Sequence, residues 1–345
     1  MKRLDSPALA LRTSRAPAAR RYVRLTRAIV GGLVCLALVP LTHVARAQTF
    51  PSKAVTFVAP YPAGGRTDLT ARVVAQFLKS ELAHPVVVVN KPGASGVLGA
   101  KDVAQAQPDG YTLGFFSTGF LTTQYTVPTP TSVREYELVA LINFDPAAVA
   151  VSAVKGWKTL DEAISYGKKN PGGIRVGINA GSSAHIFAAA FCNVAGLDVI
   201  YVPFRGGSER TAALAGGHID LDFDIVAPMK PMLDAGKLKV LGIASDRRAE
   251  LYKDIPTMRE QGVELVISSW HGVFAPKGTP AAAIAALNGA LEKVARNAQF
   301  IEQMSALLLG VRYMNQQEFA RFFQEQDALF KPLIDRLGLA AVPKS

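Results

Sequence analysis

Residues 55–75 read VTFVAPYPAGGRTDLTARVVA, and the fold of the chain is decided there. Residues 55–59 are apolar, β-branched and aromatic, which suits a strand covered on both faces. Pro60, Pro62, Gly64 and Gly65 interrupt it. From Thr67 the spacing changes: Leu69, Val73 and Phe77 recur every four residues with Leu78 beside them, as on a helix. Thr67 or Asp68 is expected to cap that helix, since a short side-chain oxygen satisfies amides that lack carbonyl partners. Strand, glycine turn and helix start leave amides and the positive end of the dipole at one point, where an anion can sit. The same glycines also serve an ordinary tight turn. There is no GxxxxGK(S/T), which excludes a nucleotide P-loop.

Residues 1–47 read as a secretory signal peptide. A basic stretch to Arg27 precedes the apolar run 28–42, too short for a membrane span, and Ala45-Arg46-Ala47 offers cleavage after Ala47. The long basic stretch allows a start codon downstream of Met1; Arg20-Arg21 is followed by residues that fit the general secretory route better than the twin-arginine one. The leader holds nine basic residues and one acid, so the charge of +11 falls to +3 without it. A balance of +3 is no evidence for nucleic-acid binding, and none is expected. Only Cys192 remains after cleavage, so no intramolecular disulfide is available; it sits in an apolar helical run and reads as packing. About 298 residues suffice for a large core, usually divided into two lobes.

Beyond residue 75 strands and helices alternate. Strands are expected at 85–89, 111–116, 138–144, 148–153, 174–178, 199–203, 219–225, 238–244 and 265–275. Helices are expected at 96–106, from Thr159 to before Pro171 with a Thr159/Glu162 capping box, from Ser182 or Ser183 to 195, and at 208–215 and 227–235; everything from Pro280 on reads helical. The Thr/Pro-rich segment between 117 and 137 reads as an irregular connection. The alternation implies α/β architecture with mainly parallel sheets flanked by helices.

Seven blocks occur in order: YPAGGRTDLTAR (61–72), VVVVNKPGASGVLGA (86–100), QPDGYTLGF (107–115), GSSAH (181–185), VPFRGGSERTAALAGGHIDLDFD (202–224), DIPTMREQGV (254–263) and WHGVFAPKGTP (270–280). Together they resemble the Bug-type periplasmic solute-binding proteins of tripartite tricarboxylate transporters, over essentially all of 50–340. The resemblance implies a two-lobed, type II-like periplasmic binding protein fold: lobe 1 from 48–150 with 265–345, lobe 2 from 151–264, and a ligand cleft between them. It implies capture of a small carboxylate for delivery to membrane permease subunits, by a monomer with no cofactor or metal. The alternative is a sensor that presents a carboxylate to a membrane signalling receptor.

Carried over by residue, the resemblance places Tyr61, Ala63, Gly64 and Gly65 in the first ligand loop, with the amides of Ala63, Gly64 and Gly65 on the carboxylate. Asp68 is assigned to capping, because its charge would repel an anion. Ser117 and Thr118 offer hydroxyls on the same rim; Asn179, Ser182 and Ser183 form the facing loop of lobe 2, with Ser183 the favoured hydroxyl on the anion. His185 reads as a ligand contact or a structural residue at the helix start. Arg205 reads as a donor fork, an interlobe tie or a solvated side chain. Asp224 reads as the partner of a ligand amino or hydroxyl group, or as a helix cap, and His271 as a selectivity position. Two departures from the family pattern stand out. Arg66 replaces a small or apolar residue and is expected to pair with a second carboxylate of a dicarboxylate ligand, the rival being an exposed arginine without a role. Residues 129–135 (TPTSVRE) replace an acidic loop.

An enzyme is not expected. GSSAH lacks the G-x-S-x-G elbow, and His185, His218 and His271 have no metal-ligand spacing. Gly93, Gly96 and Gly99 lack the tight first G-x-G of a dinucleotide loop.

Overall fold

The computed structural model describes residues 50–128 and 131–341, so the expected leader and its cleavage site lie outside the described residues. In chain order the elements begin β1 (Val55–Ala59), α1 (Arg66–Leu82), β2 (Val86–Asn90), α2 (Val97–Ala104), β3 (Thr112–Ser117), α3 (Thr118–Thr126), β4 (Tyr136–Pro146) and β5 (Ala148–Ser152). Then come α4 (Leu160–Lys169), β6 (Arg175–Ile178), α5 (Ser183–Ala195), β7 (Ile200–Pro203), α6 (Gly207–Ala215), β8 (Leu221–Asp224), α7 (Lys230–Asp234) and β9 (Leu238–Ile243). The chain closes with β10 (Ser268–Pro276), α8 (Ala281–Arg296), α9 (Ala298–Ala306), β11 (Val311–Met314) and α10 (Gln316–Arg336). No helix among the described residues is long and apolar enough to cross a membrane.

Two sheets organise two α/β lobes. The first has strand order β11-β4-β10-β3-β1-β2 and the second β7-β6-β8-β5-β9. Both are mixed rather than mainly parallel. β1 runs parallel to β2 and β3, but β10 is antiparallel to β3 and β4, and β11 to β4. In the second sheet β6 is parallel to β7 and β8, while β5 is antiparallel to both β8 and β9. The antiparallel pairings centre on β4, β5 and β10, the strands next to the crossings. The chain leaves the first sheet at Pro146, enters the second at Ala148, and returns between Ile243 and Ser268. A boundary between 150 and 151 therefore falls inside β5.

Two elements differ from expectation. The stretch 118–126, rich in threonine and so a weak helix former, is a helix because Ser117 caps it, its hydroxyl accepting from the Gly119 amide (3.3 Å), and Phe120 and Leu121 are buried beneath it. The C-terminal segment is not all helical: β11 adds a strand to the free edge of β4. The Thr159 cap is present, with its hydroxyl accepting from the Glu162 amide, but Glu162 returns to the Lys158 amide (2.6 Å) instead of closing the box. Of the unusual loop 129–135, residues 129 and 130 lie outside the described residues. Ser132 and Glu135 form a true capping box on the short turn Val133–Glu135. Cys192 is 4% exposed, and burial pushes its thiol up to about 12, as a packing residue requires.

The core explains the rigidity of the platform. Phe116, Phe120 and Phe274 lie about one ring apart, with centroids 4.8–5.2 Å from one another. Trp270 is fully buried against Phe319, Phe322 and Phe323 of α10, which fastens the C-terminal helix to the first sheet.

Candidate ligand-binding site

Three helix starts meet between the lobes. The N-caps of α1, α5 and α6 are Gly65, Ser182 and Gly206, and none of them accepts a hydrogen bond from its own helix through a side chain. The first intrahelical bonds are Leu69 to Gly65, Ile186 to Ser182 and Arg210 to Gly206, so the amides before each are left over. Residues from all three starts (Gly65, Arg66 and Thr67; Ser182 and Ala184; Gly206 and Gly207) line one cavity of about 40 Å³. Capping these helices would stabilise each by about 1 kcal/mol. Three uncapped starts at one point direct backbone dipoles from both lobes at a spot where an anion can sit. The hydroxyl of Ser182 is buried there with no partner, a further donor in waiting.

The glycines of the turns allow this geometry. Gly64 adopts φ +77°, a left-handed conformation, and its amide donates to the Asp68 carboxylate at 2.9 Å. A β-carbon on Gly206 would stand 2.9 Å from the Pro62 ring across the cleft, so the lobes approach here only because Gly206 has none.

Behind the amides lies a charged array. Arg210, 1% exposed, donates to Asp222 (2.7 Å), to Asp224 (2.7 Å) and to the Asn179 side-chain oxygen. Arg66 comes from the other lobe and donates to the second Asp224 oxygen (2.9 Å) and to the Ser183 hydroxyl. Two guanidinium groups thus face two carboxylates, and the array is formally neutral. Burial works against the charge on Arg210, but Asp222 and Asp224 together hold its pKa above the ordinary arginine value. Burial raises the Asp222 carboxyl in spite of Arg210. Burial likewise raises the Tyr61 hydroxyl, so it stays protonated.

A second polar chain runs from the site to the lobe crossing. The Thr67 hydroxyl meets His271 Nε2 (3.2 Å), and His271 Nδ1 meets the Asn143 oxygen (2.6 Å). The Asn143 amide donates to Asp145 (2.7 Å), whose other oxygen accepts from Tyr252 (2.9 Å) and from the Gly310 amide (2.7 Å). Since the Asn143 oxygen only accepts, His271 carries its proton on Nδ1 and receives the Thr67 hydroxyl proton on Nε2. Burial, with Arg66 nearby, holds His271 well below the usual histidine range, so it is neutral. Burial pushes the Asp145 carboxyl up to about 6 against its three donors.

Of the expected site residues, Tyr61, Gly65, Arg66, Asn179, Ser182 and Asp224 line the cavity. Several expected contacts are corrected. The Gly64 amide is already taken by Asp68, and Ala63 is exposed with its carbonyl 3.4 Å from the Ser208 hydroxyl, while Gly65, Arg66 and Thr67 line the cavity. The physical reason is that the helix starts at Arg66 with Gly65 as its cap, not Thr67 or Asp68. Burial alone would raise Asp68, but Arg72 and the Gly64 amide hold it below the usual carboxylate range. Ser117 is spent capping α3, and the Thr118 hydroxyl accepts from the Trp270 amide (2.9 Å). Ser183 is buried, with its hydroxyl engaged by Arg66. His185 accepts the Gly181 amide on Nδ1 (3.2 Å), which fixes the loop, and burial lowers its pKa. His271 lies behind Thr67, fully buried and stacked on Phe115. Arg205 is exposed, on the wall of a neighbouring chamber. Arg66 is neither exposed nor free: it reaches the cleft but spends its guanidinium on Asp224 and Ser183.

Sequence reasoning missed Arg210 and Asp222. A signal was present: Asp220, Asp222 and Asp224 alternate along one strand and share a face. Three buried carboxylates on one face demand cations, and the structure supplies Arg175 and Lys155 to the first and Arg210 to the other two.

Comparison with known proteins gives the following. Residues 70–339 match the family model described as "Tripartite tricarboxylate transporter family receptor". The UPF0065 protein of the gbd 5′ region of Cupriavidus necator is 32% identical over 324 residues, covering 93% of this chain and 98% of that protein. Among solved structures, the periplasmic binding protein BugD superposes with a TM-score of 0.80 at 28% identity, covering 84% of this chain and 99% of that one. An R. palustris protein solved with adipate superposes with a TM-score of 0.82 at 26% identity, covering 85% and 100%.

Proposed function

Because this chain belongs to the Bug-type family of tripartite tricarboxylate transporter receptors, we propose that it is a periplasmic solute-binding protein that captures a small organic acid and presents it to membrane permease subunits. The observation that carries this reading is the convergence of three uncapped helix starts, from both lobes, on one cavity. A carboxylate placed there accepts from amides such as those of Thr67, Ala184 and Gly207. About five such charge-assisted bonds at ~1.5–3 kcal/mol each give a gross ~8–15 kcal/mol. Immobilising the ligand and drawing the lobes together costs several kcal/mol, which leaves roughly micromolar to nanomolar affinity.

The ligand bridges residues of both lobes, so it binds the closed form better than the open one and shifts the population toward it. The pivots in this reading are Ala147 and the return segment 244–267, with the described residues of 50–146 and 268–341 moving as one lobe. Capture alone is the activity, without catalysis. The protein acts as a monomer, exported through a leader cleaved after Ala47. A structural neighbour solved with adipate, a carboxylate, supports the ligand class. The test is a thermal-shift panel of organic acids beside their primary amides. Acids that raise the midpoint where their amides do not support the reading; no acid raising it would refute it.

A further inference from the structure

The cavity between the helix starts adjoins a larger chamber, with which it shares wall residues. About 40 Å³ has room for two or three waters or for one carboxylate headgroup, not for the carbon chain of an acid. The neighbouring chamber measures about 520 Å³ and shares Tyr61, Pro62 and Asn179 with the inner cavity. Any ligand whose carboxylate meets the helix starts must therefore place its remaining atoms in this outer chamber. Its walls are mainly apolar and stiff: Pro60, Pro62, Pro92, Pro203, Tyr61 and Phe204. The Tyr61 ring that joins the two chambers has room there because Gly96 lacks a side chain, since a β-carbon on Gly96 would stand 3.1 Å from it.

The charges of the two chambers are already balanced. Inside, Arg66 and Arg210 are matched by Asp222 and Asp224. Outside, Arg205 shares its wall with Glu209, whose carboxylate accepts from the Arg205 amide (3.1 Å). One anionic headgroup has the leftover amides to meet it; a second would enter a space with no net positive charge.

The geometry points to a monocarboxylate with a bulky apolar tail, aryl or branched alkyl, as the preferred ligand: headgroup on the helix starts, tail in the proline-lined chamber. This inference rests on the carboxylate-capture reading above and narrows it. Burying a phenyl-sized group there raises affinity by about two orders of magnitude over the headgroup alone.

The experiment is calorimetric titration of the purified protein with acetate, phenylacetate, succinate and adipate. Each is repeated with Ala180→Asp and, independently, Ala94→Asp, which set a negative charge on the outer wall from opposite lobes. The expected result is phenylacetate binding at least thirtyfold tighter than acetate, succinate and adipate, with either substitution lowering the phenylacetate-to-acetate ratio at least tenfold. Succinate or adipate binding as tightly as phenylacetate, or a ratio unmoved in both variants, overturns the inference while leaving carboxylate capture intact. If none of the four acids binds, the inference is overturned; if no acid of the wider thermal-shift panel binds either, the capture reading falls with it.

Discussion

The exchange of Arg66 for alanine tests the electrostatics of the site most sharply. In the native array two arginines face two aspartates, so an arriving carboxylate meets no net charge. Removing Arg66 leaves Arg210 against Asp222 and Asp224, one negative charge in excess. At about 5 Å and an effective dielectric of ~20, one unpaired charge repels the ligand by about 3 kcal/mol. Water in the cleft reduces this, so the expected loss is about 1.5–3 kcal/mol, or roughly 10- to 150-fold in affinity. Asp224→Asn alone leaves one positive charge in excess and tightens binding. The pair Arg66→Ala/Asp224→Asn is neutral again and recovers most of the loss. Calorimetric titration of a bound carboxylate against the four proteins completes the cycle. A double variant no better than Arg66→Ala, or an Arg66→Ala protein that binds as the parent does, refutes the reasoning.

Three further outcomes follow from the same geometry. Gly206→Ala drives a methyl group to within 2.9 Å of Pro62; the lobes are held apart, affinity falls at least tenfold, and the radius of gyration of the liganded protein by small-angle scattering exceeds the parent's. Arg210→Met strands Asp222 in a buried site, leaves Asp224 to Arg66 alone, and destabilises the fold by about 3–5 kcal/mol in urea titrations; a loss under 1 kcal/mol would show that Asp222 is not buried as described. Asp145 ionises at about 6 in the fold against 3.8 as an ordinary carboxyl, so the folded state holds its proton more tightly. Its contribution is therefore fully present below about pH 4 and lost as pH rises through 6, about 3 kcal/mol in all. The buried neutral His271 pulls the other way below its unfolded pKa near 6.5, and is common to both proteins if the parent is compared with Asp145→Asn. The stability difference between the two is expected to shift against the parent from pH 4 to pH 6.5; a flat difference contradicts the assignment.

Much of this was legible in the chain itself, for identifiable reasons. The strand, turn and helix of 55–75 show because their periodicities differ and glycine and proline separate them. Arg66 shows because its residue type is out of place. The helix start was displaced because Thr67 and Asp68 are better caps than Gly65 by local chemistry, whereas the site uses the worse cap to keep amides open. Helix α3 was hidden by its threonines and β11 by the helical residues on either side of it. Nothing in its own helix marks Arg210 as buried; only the alternating aspartates of the strand that follows reveal it. The mixed sheets were hidden too, since strand direction depends on where the chain crosses between lobes, which alternation of strands and helices does not record.

The central claim is that amides from both lobes close on one negative group. Amide nitrogen–proton shifts of the labelled protein, followed during titration with a bound carboxylate, address it most directly. The account predicts that Arg66–Asp68, Ser183–His185 and Gly207–Glu209 shift together and saturate with a single dissociation constant. Saturation that leaves those amides unmoved, or moves those of one lobe alone, would contradict it.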